Sequence, residues 1–255
     1  MFLTKEESTK YLERIRYKPT GRETQTELLH TIHRQHSYNI PFENLDVYCG
    51  KVVSVDPDKL YEKMVLRSRG GYCFEMNNLF VDAAEALGFE GYRVLARIGG
   101  KDRPYGALLH CLGIVKADGQ KWICDVGYGG DGLIEPIAFD IGREQESCGR
   151  TFRVVPAEEM EFAVEVKKGG EFCRMFAFND RPNLRKDFEI ACFYTNCWPE
   201  SGFRRRIMVT RPTPTGRNSL NDYHVKLSEN GVMTEYDIDD SMLASTLKKY
   251  FDIEL

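Results

Sequence analysis

The sequence predicts an α+β protein in three parts, helical at first, then built of antiparallel strands that form a barrel or a strongly curved sheet, then of strands closed by a helix. Three observations predict it. Up to about residue 90 apolar residues recur at helical spacing. From Tyr92 they gather into short β-prone runs parted by Asp-Gly and Gly-Gly, and beyond Pro199 strands lead into one last helix. The corresponding domains are residues 1–90, 91–195 and 196–255, and a chain of 255 residues buries enough surface to support such a division.

In the first part, Thr4 and Glu7 make a capping box ahead of Tyr11, Leu12 and Ile15. A second helix starts at Thr24 or Thr26, carries Leu28, Leu29, Ile32 and His33, and ends before Pro41. A third runs from Phe74 to Leu87 and stops at Gly88. Strands are expected at Tyr92 to Ile98, on either side of Asp118-Gly119, at Phe152 to Val155, at Phe162 to Val166, and at Phe172 to Phe178 behind Lys168-Gly169-Gly170; the strand region extends to Tyr194. Antiparallel strands of this length form a barrel or a strongly curved sheet. The last part holds a strand at Ile207-Met208-Val209, a hairpin at Asn230-Gly231 and a helix from Asp239 or Ser241 to Phe251.

Composition narrows the function. A formal charge of −4 and a pI near 5.8 argue against nucleic acid as the main partner, because phosphate binding needs a positive field. No apolar run reaches membrane-spanning length, and Met1-Phe2-Leu3-Thr4-Lys5 does not read as a signal peptide. The eight cysteines are scattered, several in strand-like runs where a thiol behaves as a small hydrophobe. Without a secretion signal they predict reduced thiols and a cytoplasmic protein.

The chemistry is concentrated at Arg69-Gly70-Gly71-Tyr72-Cys73-Phe74-Glu75, which sets Cys73 between a glycine turn and the start of a helix. Bare N–H groups and the positive dipole end favour a thiolate there, so the thiol pKa is expected below its free value. The glycines are expected to clear the approach to the sulfur and to permit unusual backbone angles. A partner comes from the hairpin. With Asp118-Gly119 as a two-residue turn, Ala117 faces Gln120, Leu112 faces Asp125 and His110 faces Gly127. His110 and Asp125 then share a sheet face as diagonal neighbours, within reach of a hydrogen bond, with the glycine leaving room for the ring.

Other motifs carry less. His30, His33 and His36 have helical spacing but no acidic or thiol partner at ligand spacing, and are read as surface or half-buried positions rather than a metal face. Gly127-Tyr128-Gly129-Gly130-Asp131-Gly132 spells a dinucleotide fingerprint, yet it follows a hairpin and leads to Pro136 with no helix to receive a phosphate. Cys192 and Cys197 are an isolated pair and poor support for zinc, and Arg204-Arg205-Arg206 reads as a solvated run.

Ile40-Pro41-Phe42-Glu43-Asn44-Leu45-Asp46, the Arg69 to Glu75 turn, His110, Asp125-Val126-Gly127-Tyr128-Gly129, Pro199-Glu200-Ser201-Gly202-Phe203 and Thr213-Pro214-Thr215-Gly216 together resemble the arylamine N-acetyltransferases over nearly the whole chain. The resemblance implies an N-terminal helical bundle, a central antiparallel β-barrel and a C-terminal α/β lid, with a Cys73–His110–Asp125 triad between the first two. It also implies a two-step transfer of acetyl from acetyl-CoA, the co-substrate, to an arylamine, arylhydrazine or N-hydroxyarylamine, as in xenobiotic metabolism. It implies no metal and no tightly bound cofactor. It further implies acceptor contacts at Phe42, Tyr128 and Phe203, and coenzyme contacts at Tyr194, Ser201 and Gly202. Arg69 is expected to pair with Glu43 or Asp46 and brace the turn. Tyr128 stands where many relatives have phenylalanine, and the chain ends soon after its last helix; both bear on acceptor choice.

The residues suit such chemistry, since thioester exchange at Cys73 needs only a base, His110, oriented by a carboxylate, Asp125. The alternatives are an amide synthase acting on a carrier-bound chain, transfer from another acyl-CoA, a papain- or transglutaminase-like hydrolase, and a non-catalytic binding protein. Papain-type enzymes place histidine far downstream of cysteine, unlike His110 here.

Overall fold

Thr4 and Glu7 close a reciprocal capping box on α1 (Lys5–Arg14), and Thr24 and Glu27 do the same for α2 (Gln25–Asn39). Each box satisfies two N–H groups that a helix start leaves bare. They belong to a computed structural model that describes residues 3–100 and 104–255, so Met1 and Phe2, where the signal-peptide reading begins, lie outside the described residues. Next come a two-residue strand β1 (Phe42–Glu43), short helices α3 (Leu45–Tyr48) and α4 (Pro57–Tyr61), and a π-helical turn (Glu62–Leu66). These pieces are too short to leave a period in the sequence. Helix α5 (Cys73–Ala86) follows and is buried on every side from Cys73 to Ala84. A helix enclosed in this way must pair each polar side chain it carries, among them Glu75, Asn77 and Asp82.

The barrel strands are β2 (Glu90–Ile98), β3 (His110–Ala117), β4 (Gln120–Cys124), β5 (Ile137–Ala138), β6 (Gln145–Ser147), β7 (Arg150–Pro156), β8 (Phe162–Lys168) and β9 (Glu171–Phe178). They form an antiparallel sheet in the order β5-β4-β3-β2-β9-β8-β7-β6. The two edges meet through the Gln145 side chain, whose amide accepts from Ala138 N–H (2.7 Å) and donates to Ala138 O (2.9 Å), leaving the barrel nearly closed. Inside lie Val94, Leu112, Ile114, Phe152, Phe176 and Phe178. The hairpin has the predicted register, Ala117 opposite Gln120 and Gly113 opposite Cys124. Asp118 and Gly119 take positive φ (48° and 78°), as the tight hairpin turn requires.

The strand pattern stops at Phe178, not at Tyr194. Helix α6 (Arg185–Cys197) occupies that stretch and crosses the predicted boundary at 195/196. After α7 (Gly202–Arg205) come β10 (Met208–Thr213), β11 (Gly216–Asn221), β12 (His224–Glu229), β13 (Val232–Asp237) and α8 (Asp240–Phe251), capped by Asp239. Their sheet runs β1-β10-β11-β12-β13, with Phe42 opposite Thr210 and Glu43 opposite Val209. Leu45, Val209, Leu220, Leu247 and Phe251 form its core. Among the described residues no helix is long and apolar enough to cross a membrane.

Candidate active site

Cys73 opens α5 at the bottom of a turn bonded to β1, where Glu43 N–H donates to Gly71 O (2.8 Å) and Gly71 N–H to Pro41 O (3.3 Å). The glycines serve this close approach rather than access to the sulfur. A Cβ on Gly70 would lie 2.0 Å from Pro41 O, and one on Gly71 2.7 Å from Glu75 Cβ. Cys73 is only 4% exposed. Its Sγ is 3.9 Å from Leu109 O, and its carbonyl accepts from Cys111 Sγ (3.2 Å), so both chain neighbours of His110 touch it. The thiol pKa is the reverse of the sequence expectation. Burial pushes it well above the ordinary range and the charge of Asp125 adds to this, while the N–H groups of Phe74 and Cys111 pull the other way. Enclosure outweighs the helix start.

His110 and Asp125 meet as the hairpin arithmetic predicts, Nε2 to Oδ2 at 2.8 Å, both buried. The other carboxylate oxygen accepts from Asn77 Nδ2 (2.8 Å) and Gly127 N–H (3.0 Å). Burial pushes the Asp125 pKa up, but His110 and these donors outweigh it and hold the group below its ordinary value. Gly127 makes its room for something other than the imidazole: a Cβ there would lie 2.7 Å from Cys73 Cα and 2.8 Å from Asn77 Nδ2.

Two supporting residues escape a reading of the sequence. Asn77, one turn beyond Cys73, also donates to Cys111 O (2.8 Å) and accepts from Val126 N–H (2.9 Å), tying together the three segments that carry Cys73, His110 and Asp125. Its only signal is an amide on a buried, mostly apolar helix. His33 is fully buried, not a surface position, and its Nε2 accepts the N–H of Asp125 (3.1 Å) while Nδ1 meets Ile134 O (2.9 Å). These partners fix the proton on Nδ1, and burial drives the His33 pKa down to about 4. His36 is buried too, against Tyr11 OH (2.9 Å), and His30 is half-buried. Among the described residues no group of three or more His, Cys, Asp or Glu is arranged to hold a metal ion.

On the opposite side of the turn lies a buried ion cluster. Arg69 donates to Glu43 Oε1 through Nε (3.1 Å) and Nη2 (2.8 Å) and stands 3.7 Å from Asp46, so it serves both expected partners. Lys63 joins Glu75 (2.7 Å), Asp46 (3.1 Å) and Glu43 (4.0 Å). Glu75 also accepts from Tyr72 N–H (3.2 Å). Burial, with the charge of Glu43, pushes Glu75 up to about 7 against the pull of Lys63.

Phe42 and Tyr128 line a narrow cleft of about 30 Å³ with Met76, Asp125, Gly129 and Arg217. The Tyr128 ring stands edge-on to His110 at 5.6 Å. Phe203 is not among the residues lining this cleft; it packs behind, 5.1 Å from the Tyr72 ring and 6.3 Å from Phe42. Its carbonyl is held by Asn44 Nδ2 (2.7 Å). Tyr194 is exposed on α6 and stacks on Trp198, while Ser201 and Gly202 start α7. Cys192 turns inward to Tyr72 OH (3.1 Å), away from any pairing with Cys197.

A thiol at a helix start, touched by the two chain neighbours of a histidine held by a buried carboxylate, is equipment suited to passing acyl groups through cysteine. The family model described as N-acetyltransferase matches residues 25–255. Arylamine N-acetyltransferase of Escherichia coli is 31% identical over 81% of this chain and 74% of its own length. The Salmonella typhimurium enzyme, named as an arylamine N-acetyltransferase and N-hydroxyarylamine O-acetyltransferase, is 31% identical over 84% of this chain and 76% of its own length. A solved Mycobacterium marinum arylamine N-acetyltransferase in complex with CoA superposes with a TM-score of 0.88 at 25% identity, covering 96% of this chain and 92% of its own. The chain belongs to the arylamine N-acetyltransferase family and is an acyltransferase.

Proposed function

We propose that this protein acetylates arylamines and arylhydrazines, and N-hydroxyarylamines on oxygen, with acetyl-CoA as donor and an acetyl-Cys73 intermediate. The observation that carries the reading is the His110–Asp125 pair on the strand whose flanking residues, Leu109 and Cys111, both touch Cys73. A bare thiolate is disfavoured in this enclosure, so the nucleophile forms as a pair. With Nε2 committed to Asp125, His110 takes the thiol proton on Nδ1, and the resulting imidazolium is stabilised by the carboxylate. The sulfur attacks the thioester carbonyl and the developing oxyanion is met by the N–H groups of Phe74 and Cys111, the two that pull the thiol pKa down. The tetrahedral adduct collapses, the coenzyme thiolate leaves, and His110 returns the proton to it.

In the second half-reaction the amine attacks the acetyl-cysteine, its proton goes to His110, and Cys73 departs as the paired thiolate. Phe42, Tyr128 and Phe203 supply a flat apolar wall for the acceptor, and Tyr194, Ser201 and Gly202 the coenzyme contacts. In this reading residues 1–90 carry the nucleophile, 91–195 the base and its carboxylate, and 196–255 the cover. Neither half-reaction requires a metal or a bound cofactor, and ping-pong kinetics follow.

Intact mass after brief mixing with acetyl-CoA tests the proposal. The parent should gain one acetyl group and lose it when arylamine is added, whereas Cys73→Ala gains none. A parent that stays unacetylated while Cys73 still alkylates rules out acetyl-CoA as donor and favours another acyl-CoA or a carrier-bound chain.

A further inference from the structure

The loop after β4 carries Asp131, and three cations from three different strands converge on it. Arg150 of β7 reaches Oδ1 at 2.8 Å, Arg217 of β11 reaches the same oxygen at 3.1 Å, and Lys168 of β8 reaches Oδ2 at 2.9 Å. One carboxylate cannot neutralise three cations. Among the described residues Glu165 is already engaged by Arg153 (2.7 Å) and Arg174 (3.2 Å). Donors are also left unused: among the described residues Arg217 Nε and Arg150 Nη1 are buried without a hydrogen-bond partner. Such donors are costly unless something accepts from them.

The position of the cluster gives it meaning. Arg217 lines the narrow cleft beside Phe42 and Tyr128, while Lys168 and Asp131 line an adjoining cleft of about 330 Å³ that shares Tyr128 and includes Arg174. Tyr128 is the ring set edge-on to His110. A ligand lying against Tyr128 with its reacting end toward His110 would turn its far end to the cations. Burial first, and then the charge of Arg150, lowers the Arg217 pKa, against the pull of Asp131.

We propose that Arg217 and Lys168, backed by Arg150, form an anion subsite that receives a carboxylate or phosphate group of the ligand in this cleft, with Asp131 partly neutralising the three cations and competing with the anion for them. The anion comes from one of two sources, a carboxylate on the aromatic acceptor or the phosphates of the coenzyme. The proposal rests on the acetyl-transfer reading only for the identity of those ligands. Its rival is a strap, in which Arg217 and Asp131 merely tie β11 to the barrel.

The two roles differ in the sign of one substitution. Equilibrium binding of pyrophosphate and of 4-aminobenzoate would be measured calorimetrically at fixed ionic strength on the parent, Arg217→Gln, Lys168→Gln and Asp131→Asn. For an anion subsite, the first two variants weaken the responding probe by about tenfold, the scale of one lost charge-assisted hydrogen bond, and Asp131→Asn tightens it. A response to pyrophosphate assigns the site to the coenzyme, and a response to 4-aminobenzoate assigns it to the acceptor. No binding of either probe, affinities indifferent to the substitutions, or weakening by Asp131→Asn overturns the proposal. Lys168 is 53% exposed, so its variant keeps the test sound if Arg217→Gln fails to fold. Because no turnover is needed, a protein that takes up no acetyl group still passes or fails this test by itself.

Discussion

The two sides of the catalytic turn solve the same problem in opposite ways. Asp125 and Glu75 are both enclosed carboxylates within a few residues' reach of Cys73, yet one is held below its ordinary pKa and the other is pushed up to about 7. Asp125 sits among hydrogen-bond donors, His110, Asn77 and the Gly127 N–H. Glu75 has Lys63 and one backbone N–H but faces the charge of Glu43. Burial penalises both alike, so what separates them is whether the surrounding groups favour the ionised form. The first arrangement keeps a carboxylate charged for an imidazole to lean on; the second holds a turn together.

The comparison breaks hardest at Asp125. Asp125→Asn keeps the shape but removes the charge, and kcat/KM should fall on the order of 10³–10⁴-fold in steady-state assays, with the protein still folded. Breaking the other side should show as stability. Arg69→Gln leaves fully buried Glu43 with Lys63 at 4.0 Å and the Leu45 N–H at 2.7 Å, which should cost about 3–5 kcal/mol in denaturant unfolding while folded molecules keep most of their turnover.

The pH dependence of stability sharpens the contrast. His33 falls from 6.5 to about 4 on folding, so between these values the unfolded chain binds more protons and stability drops as the pH falls. Glu75 rises from 4.5 to about 7, so the native state binds more protons there and stability drops as the pH rises. Each effect amounts to roughly 3 kcal/mol and they oppose one another where the windows overlap. Glu75→Gln should therefore uncover the His33 slope: denaturation midpoints measured from pH 6.5 to 4.5 should fall more steeply than in the parent. The smallest effect is expected from Asn77→Ala, which removes one of the donors to Asp125 and should lower kcat about tenfold, the scale of a misplaced catalytic group.

What could be read in advance was local. Capping boxes at Thr4 and Thr24 and the turn at Asp118-Gly119 are complete within a few residues, and the hairpin register carried His110 and Asp125 to each other with no knowledge of the fold. Helix α6 was hidden by its surface. Phe188, Ala191, Cys192 and Thr195 mark a clean buried stripe, but Ile190, Phe193, Tyr194 and Trp198 are exposed and blur it. The supports of the site were unreadable for another reason. His33 meets Asp125 across 92 positions and Lys63 meets Glu75 from an irregular turn, and no spacing rule connects such pairs. The thiol's raised pKa likewise depends on enclosure, which only the assembled chain has.

The two residues of β1 have a consequence for how the protein comes into being. Gly71 is bonded to Glu43, and Phe42 and Glu43 pair with Thr210 and Val209, so the bed beneath Cys73 is completed by residues more than 130 positions further on. On the ribosome that stretch arrives well after Cys73 has left the tunnel, a delay of roughly ten to thirty seconds at ordinary elongation rates. During that interval the cysteine belongs to a nascent chain whose strand edge is still unmatched, so the surroundings of Cys73 are completed only after Thr210 has been made rather than domain by domain.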